Sequence, residues 1–231
     1  MSEAILPLPS QVQSRPLARW VSVLEVFAAW GLIEATTWAH GRTQSGLFWI
    51  SASFIFVSTI AHRPRLRDLG LGLHGLRSTL WVIPAAIAIS GIAVVIAQHL
   101  GTLHPLFGVI GIATHSFAYF IWAMVQQFIL QSYFFLRLEQ LLPSRLVAIA
   151  STVLFTLVHI PNPVLMSVCF FAGWAACEIF RRQRNIYCLG VAHAILGLTI
   201  AVTVPNDIQR HMRVGIGYFH YHSQTEIPPK A

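Results

Sequence analysis

Long apolar runs alternate along this chain with short segments rich in arginine and proline. Each run has about 16 to 22 residues, close to the length that a helix needs to cross the hydrocarbon core of a bilayer. Because lipid offers no partner to an unpaired backbone group, each run is expected to be helical. The pattern therefore predicts an all-α polytopic membrane helix bundle of about seven transmembrane helices. The runs cover residues 20–39, 46–61, 79–99, 115–136, 145–160, 163–180 and 186–204.

Composition supports the membrane interpretation. Hydrophobic residues make up 55% of the 231 residues and charged residues only 10%, whereas a water-soluble domain carries about a quarter charged residues. The chain is therefore expected to be an integral membrane protein, with the lipid bilayer as its surroundings. We expect the membrane to be a bacterial inner (plasma) membrane.

The net charge of +7 comes mostly from arginines between the apolar runs. That placement is typical of topology determinants at a membrane surface, so no nucleic-acid partner is predicted. A cytoplasmic N-terminus puts most arginines, Arg137 among them, on the cytoplasmic side. The predicted organisation is a polar cytoplasmic leader at 1–19, a membrane bundle at 20–204 and a polar tail at 205–231. The tail's GIGY stretch could fold back over the mouth of the bundle.

Polar side chains inside the apolar runs are the best indication of function. Gln126, Gln127 and Gln131 lie on the fourth run, His159 ends the fifth and His193 lies on the seventh. Measured from the nearest cytoplasmic arginines, Gln126, His159 and His193 lie at similar depths of roughly 13 to 21 Å. Such groups can simply bond neighbouring helices. Because they are costly to hold at membrane depth, their clustering favours a functional site.

The order QQFILQ, FTLVH and HAILG resembles the CAAX-processing and bacteriocin-processing (CPBP, or Abi) family of intramembrane proteases. That family carries EExxxR, FxxxH and HxxxN motifs on successive spans, and the resemblance covers roughly residues 115–204. It implies that the first glutamate and the FxxxH histidine activate a water, while the last histidine and its asparagine stabilise the oxyanion. Phe155, His159 and His193 match these motifs in kind. The positions that depart are Gln126 and Gln127 at the glutamates, Gln131 at the arginine and Gly197 at the asparagine.

These departures change the chemistry that the resemblance implies. A glutamine side chain cannot accept a proton, so Gln126 cannot act as a general base. In the leading hypothesis His159 is the base, Gln126 and Gln127 position the water, and His193 stabilises the oxyanion. Glu34, inside the first run, is a further candidate for the site because a carboxylate at that depth needs a partner.

The sequence thus predicts a CPBP-like intramembrane endopeptidase that cleaves a membrane-anchored protein or peptide substrate. Two alternatives stay open: an inactive relative that binds such substrates as an accessory protein, and a small transporter. A thiol mechanism through Cys169, Cys177 or Cys188 is a minor alternative. No cofactor is predicted. A metal is left open, and for the histidines of the tail a solvated or packed segment is favoured over a metal site.

Overall fold

The computed structural model describes residues 16–104 and 112–221, and within these ranges it contains helices and no strand. The long helices are α1 Pro16–Trp38, α2 Gly41–Ala61, α4 Val82–Leu100, α5 Ile112–Gln127, α7 Ser144–Leu157, α8 Pro163–Gln183 and α9 Tyr187–Thr203. The short ones are α3 Leu76–Thr79, a π-helix Phe128–Phe135, α6 Leu136–Glu139, α10 Asn206–Gln209, a 3-10 turn Arg210–Met212 and α11 Ile216–Phe219.

Every predicted apolar run contains a helix, so the chain is an all-α membrane bundle. By length and apolarity, three helices of the described ranges can cross a membrane: Gly41–Ala61, Leu76–Leu100 and Pro163–Gln183. A fourth crossing results if Tyr187–Thr203 and Asn206–Met212 form one bent span. Helix α7 has 14 residues, about 21 Å, and is shorter than the roughly 30 Å hydrocarbon core. The number of seven and the cytoplasmic N-terminus stay predictions.

Arg137, which the charge pattern assigns to the cytoplasmic side, forms an ion pair inside the protein. Its side chain is buried and its Nε donates to the Glu25 carboxylate at 2.8 Å. One terminal nitrogen donates to the Ser58 carbonyl at 3.0 Å, and the guanidinium lies over the Tyr133 ring at 4.7 Å. The physical reason is Glu25 itself, because a carboxylate inside an apolar bundle needs a cationic partner. This ion pair joins α1 to the chain that follows the π-helix.

Two glycines let α9 approach α5 closely. A side chain at Gly190 would collide with Met124, and one at Gly197 would collide with the Tyr119 ring and hydroxyl. The glycines are seven residues apart and therefore lie on one face of α9. Small residues at such contacts allow helix backbones to come close in membranes. The close contact holds the glutamine-bearing helix against the helix that carries His193.

Candidate functional site

The π-helix Phe128–Phe135 begins directly after Gln127. A π-helix has more residues per turn than an α-helix, so the side chains that follow Gln127 are rotated about the helix axis relative to their places in an unbroken α-helix. Gln131 is accordingly fully buried and lies outside the cavity that Gln126 and Gln127 line. Among the described residues its amide has no hydrogen-bond partner at either atom.

His159 lies just beyond the end of α7, where the chain leaves the helix. Its Nδ1 is 2.8 Å from the carbonyl oxygen of Phe155. A carbonyl can only accept, so Nδ1 carries the proton and donates this hydrogen bond. In the neutral ring Nε2 is then an unprotonated acceptor. The backbone thus fixes the orientation of a buried imidazole with one basic nitrogen free.

His193 has the opposite arrangement. The Gln127 amide Nε2 donates to its Nδ1 at 3.1 Å. Because Nδ1 accepts, the proton of the neutral ring is on Nε2, which is a donor. Gln127 is buried, with 5% of its surface exposed, so this contact joins α5 to α9 in the interior. The two imidazoles therefore offer complementary groups, an acceptor at His159 and a donor at His193.

The Phe155 ring brings the two imidazoles to one place. Its centroid is 4.9 Å from that of His159 and 6.4 Å from that of His193, both in edge-on contact. All three rings line one cavity of about 1050 Å³. The cavity wall is mostly apolar and is contributed by α1, α2, α4, α5, the π-helix, α7, α8, α9 and the segment after α10. Its size is at the upper end of ordinary ligand pockets.

Six of the candidate residues line this cavity: Gln126, Gln127, Phe155, His159, His193 and Gly197. The Gln126 amide makes no hydrogen bond within the described part of the chain.

Glu34 lies outside the cavity lining, although Ile33, Thr36 and Thr37 beside it belong to the lining. Its carboxylate accepts from the Trp38 indole at 3.1 Å on the same helix. Glu34 is therefore not part of the proposed site.

The cysteines bear on the alternative thiol mechanism. Cys177 and Cys188 are buried outside the cavity lining, whereas Cys169 lines the cavity. Within residues 16–104 and 112–221, no group of three His, Cys, Asp or Glu side chains is arranged to hold a metal ion. The polar groups of the described cavity wall are therefore mainly imidazole, amide and hydroxyl.

The segment after α9 folds over one end of the cavity, as the sequence suggested for the tail. Met212 and Val214 line the cavity, and the Gly215 amide donates to the Ile160 carbonyl at 2.7 Å. Asn162, which the sequence analysis did not single out, holds this segment in place. Its Nδ2 donates to the carbonyls of Gln209 at 2.7 Å and Arg213 at 3.1 Å, while its Oδ1 caps α8.

Replacing Asn162 with aspartate is expected to release this segment. Aspartate keeps the cap acceptor but directs an oxygen at two carbonyls, and each buried carbonyl without a donor costs about 1 to 3 kcal/mol. Faster amide exchange over residues 206–221 is the expected result, measured by hydrogen–deuterium exchange. The control is Asn206→Asp, because the Asn206 side chain only accepts from Gln209. Equal exchange in both variants would contradict the assignment.

The geometry defines the class of this protein: an integral membrane helix bundle with a polar site of two imidazoles and two amides in its interior. Residues 112–199 match the family model described as Rce1-like, type II CAAX prenyl endopeptidase Rce1-like. The match covers 88 of the 231 residues, counting from 112 to 199 inclusive. It confirms the resemblance to the CPBP family and supports an intramembrane protease of the CAAX-processing kind. No curated protein and no solved structure matches the chain.

Proposed function

We propose that this protein is an intramembrane endopeptidase that hydrolyses a peptide bond of a membrane-associated protein by a histidine-based mechanism. The observation that carries the proposal is the complementary protonation of the two imidazoles. His159 donates from Nδ1 to the Phe155 carbonyl, and His193 accepts at Nδ1 from Gln127. One cavity thus contains a basic nitrogen and a hydrogen-bond donor, the two functions that water-dependent peptide hydrolysis needs.

In the proposed mechanism His159 Nε2 accepts a proton from a water while the water oxygen attacks the scissile carbonyl carbon. The carbonyl electron pair moves to oxygen, and His193 Nε2–H donates a hydrogen bond to this oxyanion. When the intermediate collapses, the carbon–nitrogen bond breaks and His159 returns the proton to the leaving amine. The imidazole is suited to both transfers because Nε2 can accept a proton from the water and later release it.

The two glutamines have different roles in this proposal. Gln127 is a positioning residue, since its amide holds the His193 ring and keeps its donor on Nε2. Gln126 lines the cavity without a partner in the described ranges. Its carbonyl oxygen can accept from the attacking water, but it cannot take the proton. The base function therefore rests on His159 alone, and slow turnover is expected for the natural protein.

The cavity suits a substrate that is itself held in the membrane. Its wall is mostly apolar and includes large side chains such as Phe48 and Trp49 of α2 and Trp81 just before α4. Helix α2 packs mainly on α1, while α4 packs on α9, so these two helices contribute separate parts of the cavity wall. An apolar chain or lipid-modified segment gains from burial in such a space. We propose a CAAX-type or sorting-tail substrate, and a bacterial inner membrane as the location.

An inactive accessory protein is the second candidate. It is favoured by one observation: within residues 16–104 and 112–221, no aspartate or glutamate lines the cavity. Such a protein would bind the same membrane-anchored tails without hydrolysing them. The two candidates differ in turnover and not in binding. A cleavage assay with purified protein in liposomes separates them, using a quenched fluorescent peptide with a prenylated cysteine followed by three C-terminal residues.

Gln126→Glu is expected to raise the cleavage rate at least tenfold. A carboxylate of the same length faces the same cavity and adds a proton acceptor, and positioned acid–base groups contribute about 10²- to 10⁴-fold to rates. The measurement is kcat in the liposome assay. Gln140→Glu, at an exposed position beside Ser22 in the first part of α1, is the matched control and should leave kcat unchanged. An unchanged or lower rate in Gln126→Glu would argue against a water at this position.

A further inference from the structure

Tyr119 occupies the space that a side chain at Gly197 would need. An ideal Cβ on Gly197 collides with the tyrosine hydroxyl oxygen and comes within 2.7 Å of Cζ and 2.9 Å of Cε1. The two residues lie on different helices, Tyr119 on α5 and Gly197 on α9. The Tyr119 side chain therefore fills the space beside α9 that the missing side chain of Gly197 leaves open. Glycine is required here because the tyrosine ring and hydroxyl take the volume of any larger residue.

The hydroxyl is available for chemistry. Tyr119 lines the cavity together with His193 and Gly197. It makes no hydrogen bond to another residue in the described part of the chain, whereas Tyr133 and Tyr187 each use the hydroxyl in one. A tyrosine that is largely buried normally finds a partner for this group. A free hydroxyl on a cavity wall is therefore an unused donor that points to a ligand.

The distance along α9 fits a joint role with His193. Gly197 follows His193 by four residues, one helical turn or about 6 Å of rise. Side chains at these positions lie on the same face. A carbonyl oxygen near His193 Nε2–H is consequently also near the hydroxyl that stands against Gly197. Two donors from two helices then converge on one side of the cavity.

We propose that the Tyr119 hydroxyl is the second oxyanion donor of the site, acting beside His193. This inference rests on the proposed endopeptidase function and assigns a catalytic residue to it. As water attacks and its proton passes to His159, the electron pair that moves to the carbonyl oxygen is stabilised by hydrogen bonds from Tyr119 and His193. Both donors keep their protons, and the proton on His159 leaves with the amine when the carbon–nitrogen bond breaks.

Tyr119→Phe tests the proposal, since it removes only the hydroxyl and keeps the ring against Gly197. We expect kcat to fall about 100-fold or more with KM nearly unchanged, as for loss of one oxyanion donor. Tyr187→Phe is the matched control, because that hydroxyl bonds the Leu71 carbonyl away from the cavity. Wild-type kcat in Tyr119→Phe, together with loss of cleavage in His159→Ala, would overturn the inference while the proposed function stands.

A rescue pair provides a second, independent readout. Gly197→Asn alone should inactivate the protein, because the new side chain collides with the tyrosine. Tyr119→Ala with Gly197→Asn makes room for an amide donor and should recover at least tenfold over Tyr119→Ala. No recovery in a folded double variant would count against a donor role at this place.

Binding of a peptide aldehyde tests the site without turnover. The aldehyde hydrate resembles the tetrahedral intermediate, whereas the matching peptide alcohol does not. Tyr119→Phe should weaken aldehyde binding at least tenfold and leave alcohol binding unchanged. Equal loss for both ligands would show a structural role for the hydroxyl and overturn the inference. If wild-type protein binds the aldehyde selectively but cleaves nothing, the oxyanion site stands and the endopeptidase function fails.

Discussion

His159→Ala is expected to lower the cleavage rate by at least about 10³-fold. In the proposed mechanism this imidazole is the base for water and then the acid for the leaving amine, and such groups contribute about 10²- to 10⁴-fold. No carboxylate of the described cavity wall can take its place. The measurement is kcat in liposomes with the quenched prenyl-peptide, at protein levels matched by immunoblot.

Two controls make this result specific. His74→Ala changes an exposed imidazole that contacts Arg67 in the arginine-rich loop and should leave kcat unchanged. His159→Gln preserves much of the volume of the side chain but not its basicity, so it should be as inactive as the alanine variant. Activity above a tenth of wild type in His159→Gln, with intact folding, would rule out the base role. Retained cleavage in both His159 and His193 variants would end the proposal of catalysis at these residues.

Arg137→Met is expected to destabilise the fold by about 3 to 5 kcal/mol. The substitution removes the guanidinium from the Glu25 carboxylate and leaves His62 as its remaining partner. Breaking a buried ion pair from one side costs up to this magnitude. It also removes the donor to the Ser58 carbonyl and the contact with Tyr133. The measurement is the unfolding midpoint in detergent, followed by denaturant titration at fixed detergent concentration.

The double variant Glu25→Leu/Arg137→Met distinguishes a broken ion pair from lost packing. Removing both charges leaves no carboxylate without its guanidinium, so the double variant should be more stable than Arg137→Met by up to a few kcal/mol. Glu178→Ala is the surface control, because its pairing with Arg181 and Arg182 is exposed and exposed pairs contribute about 0 to 1 kcal/mol. Additive losses in the double variant would refute coupling between Glu25 and Arg137.

The helices and the shared site could be predicted because both follow from local sequence and simple geometry. Apolar runs of membrane-spanning length become helices when no water is present to satisfy the backbone. Counting residues from the arginines placed Gln126, His159 and His193 at similar depth, and the cavity they share agrees with that count. The direction of each imidazole was not predictable, since it depends on the Phe155 carbonyl and the Gln127 amide.

Other features depend on contacts that no local pattern encodes. The π-helix changes which side chains follow Gln127 into the cavity, and FILQSYFF alone does not distinguish it from an α-helix. The burial of Arg137 could have been anticipated from the sequence, because Glu25 is a carboxylate in an apolar run and requires a cation. No sequence signal indicated Tyr119, because its position against Gly197 appears only when α5 and α9 are packed together.

The glycine-mediated contact between α5 and α9 has a mechanical consequence. Because the Met124 and Tyr119 side chains fill the space over the two glycines, the helices that carry the glutamines and His193 should move as one body. The catalytic distances between them then stay constant during any breathing of the bundle. If the cavity widens to admit a bulky substrate, the helix that moves should be α2, which lines another part of the cavity wall and packs chiefly on α1. Substrate recognition would then depend on the movable pair α1 and α2, and catalysis on the rigid pair α5 and α9.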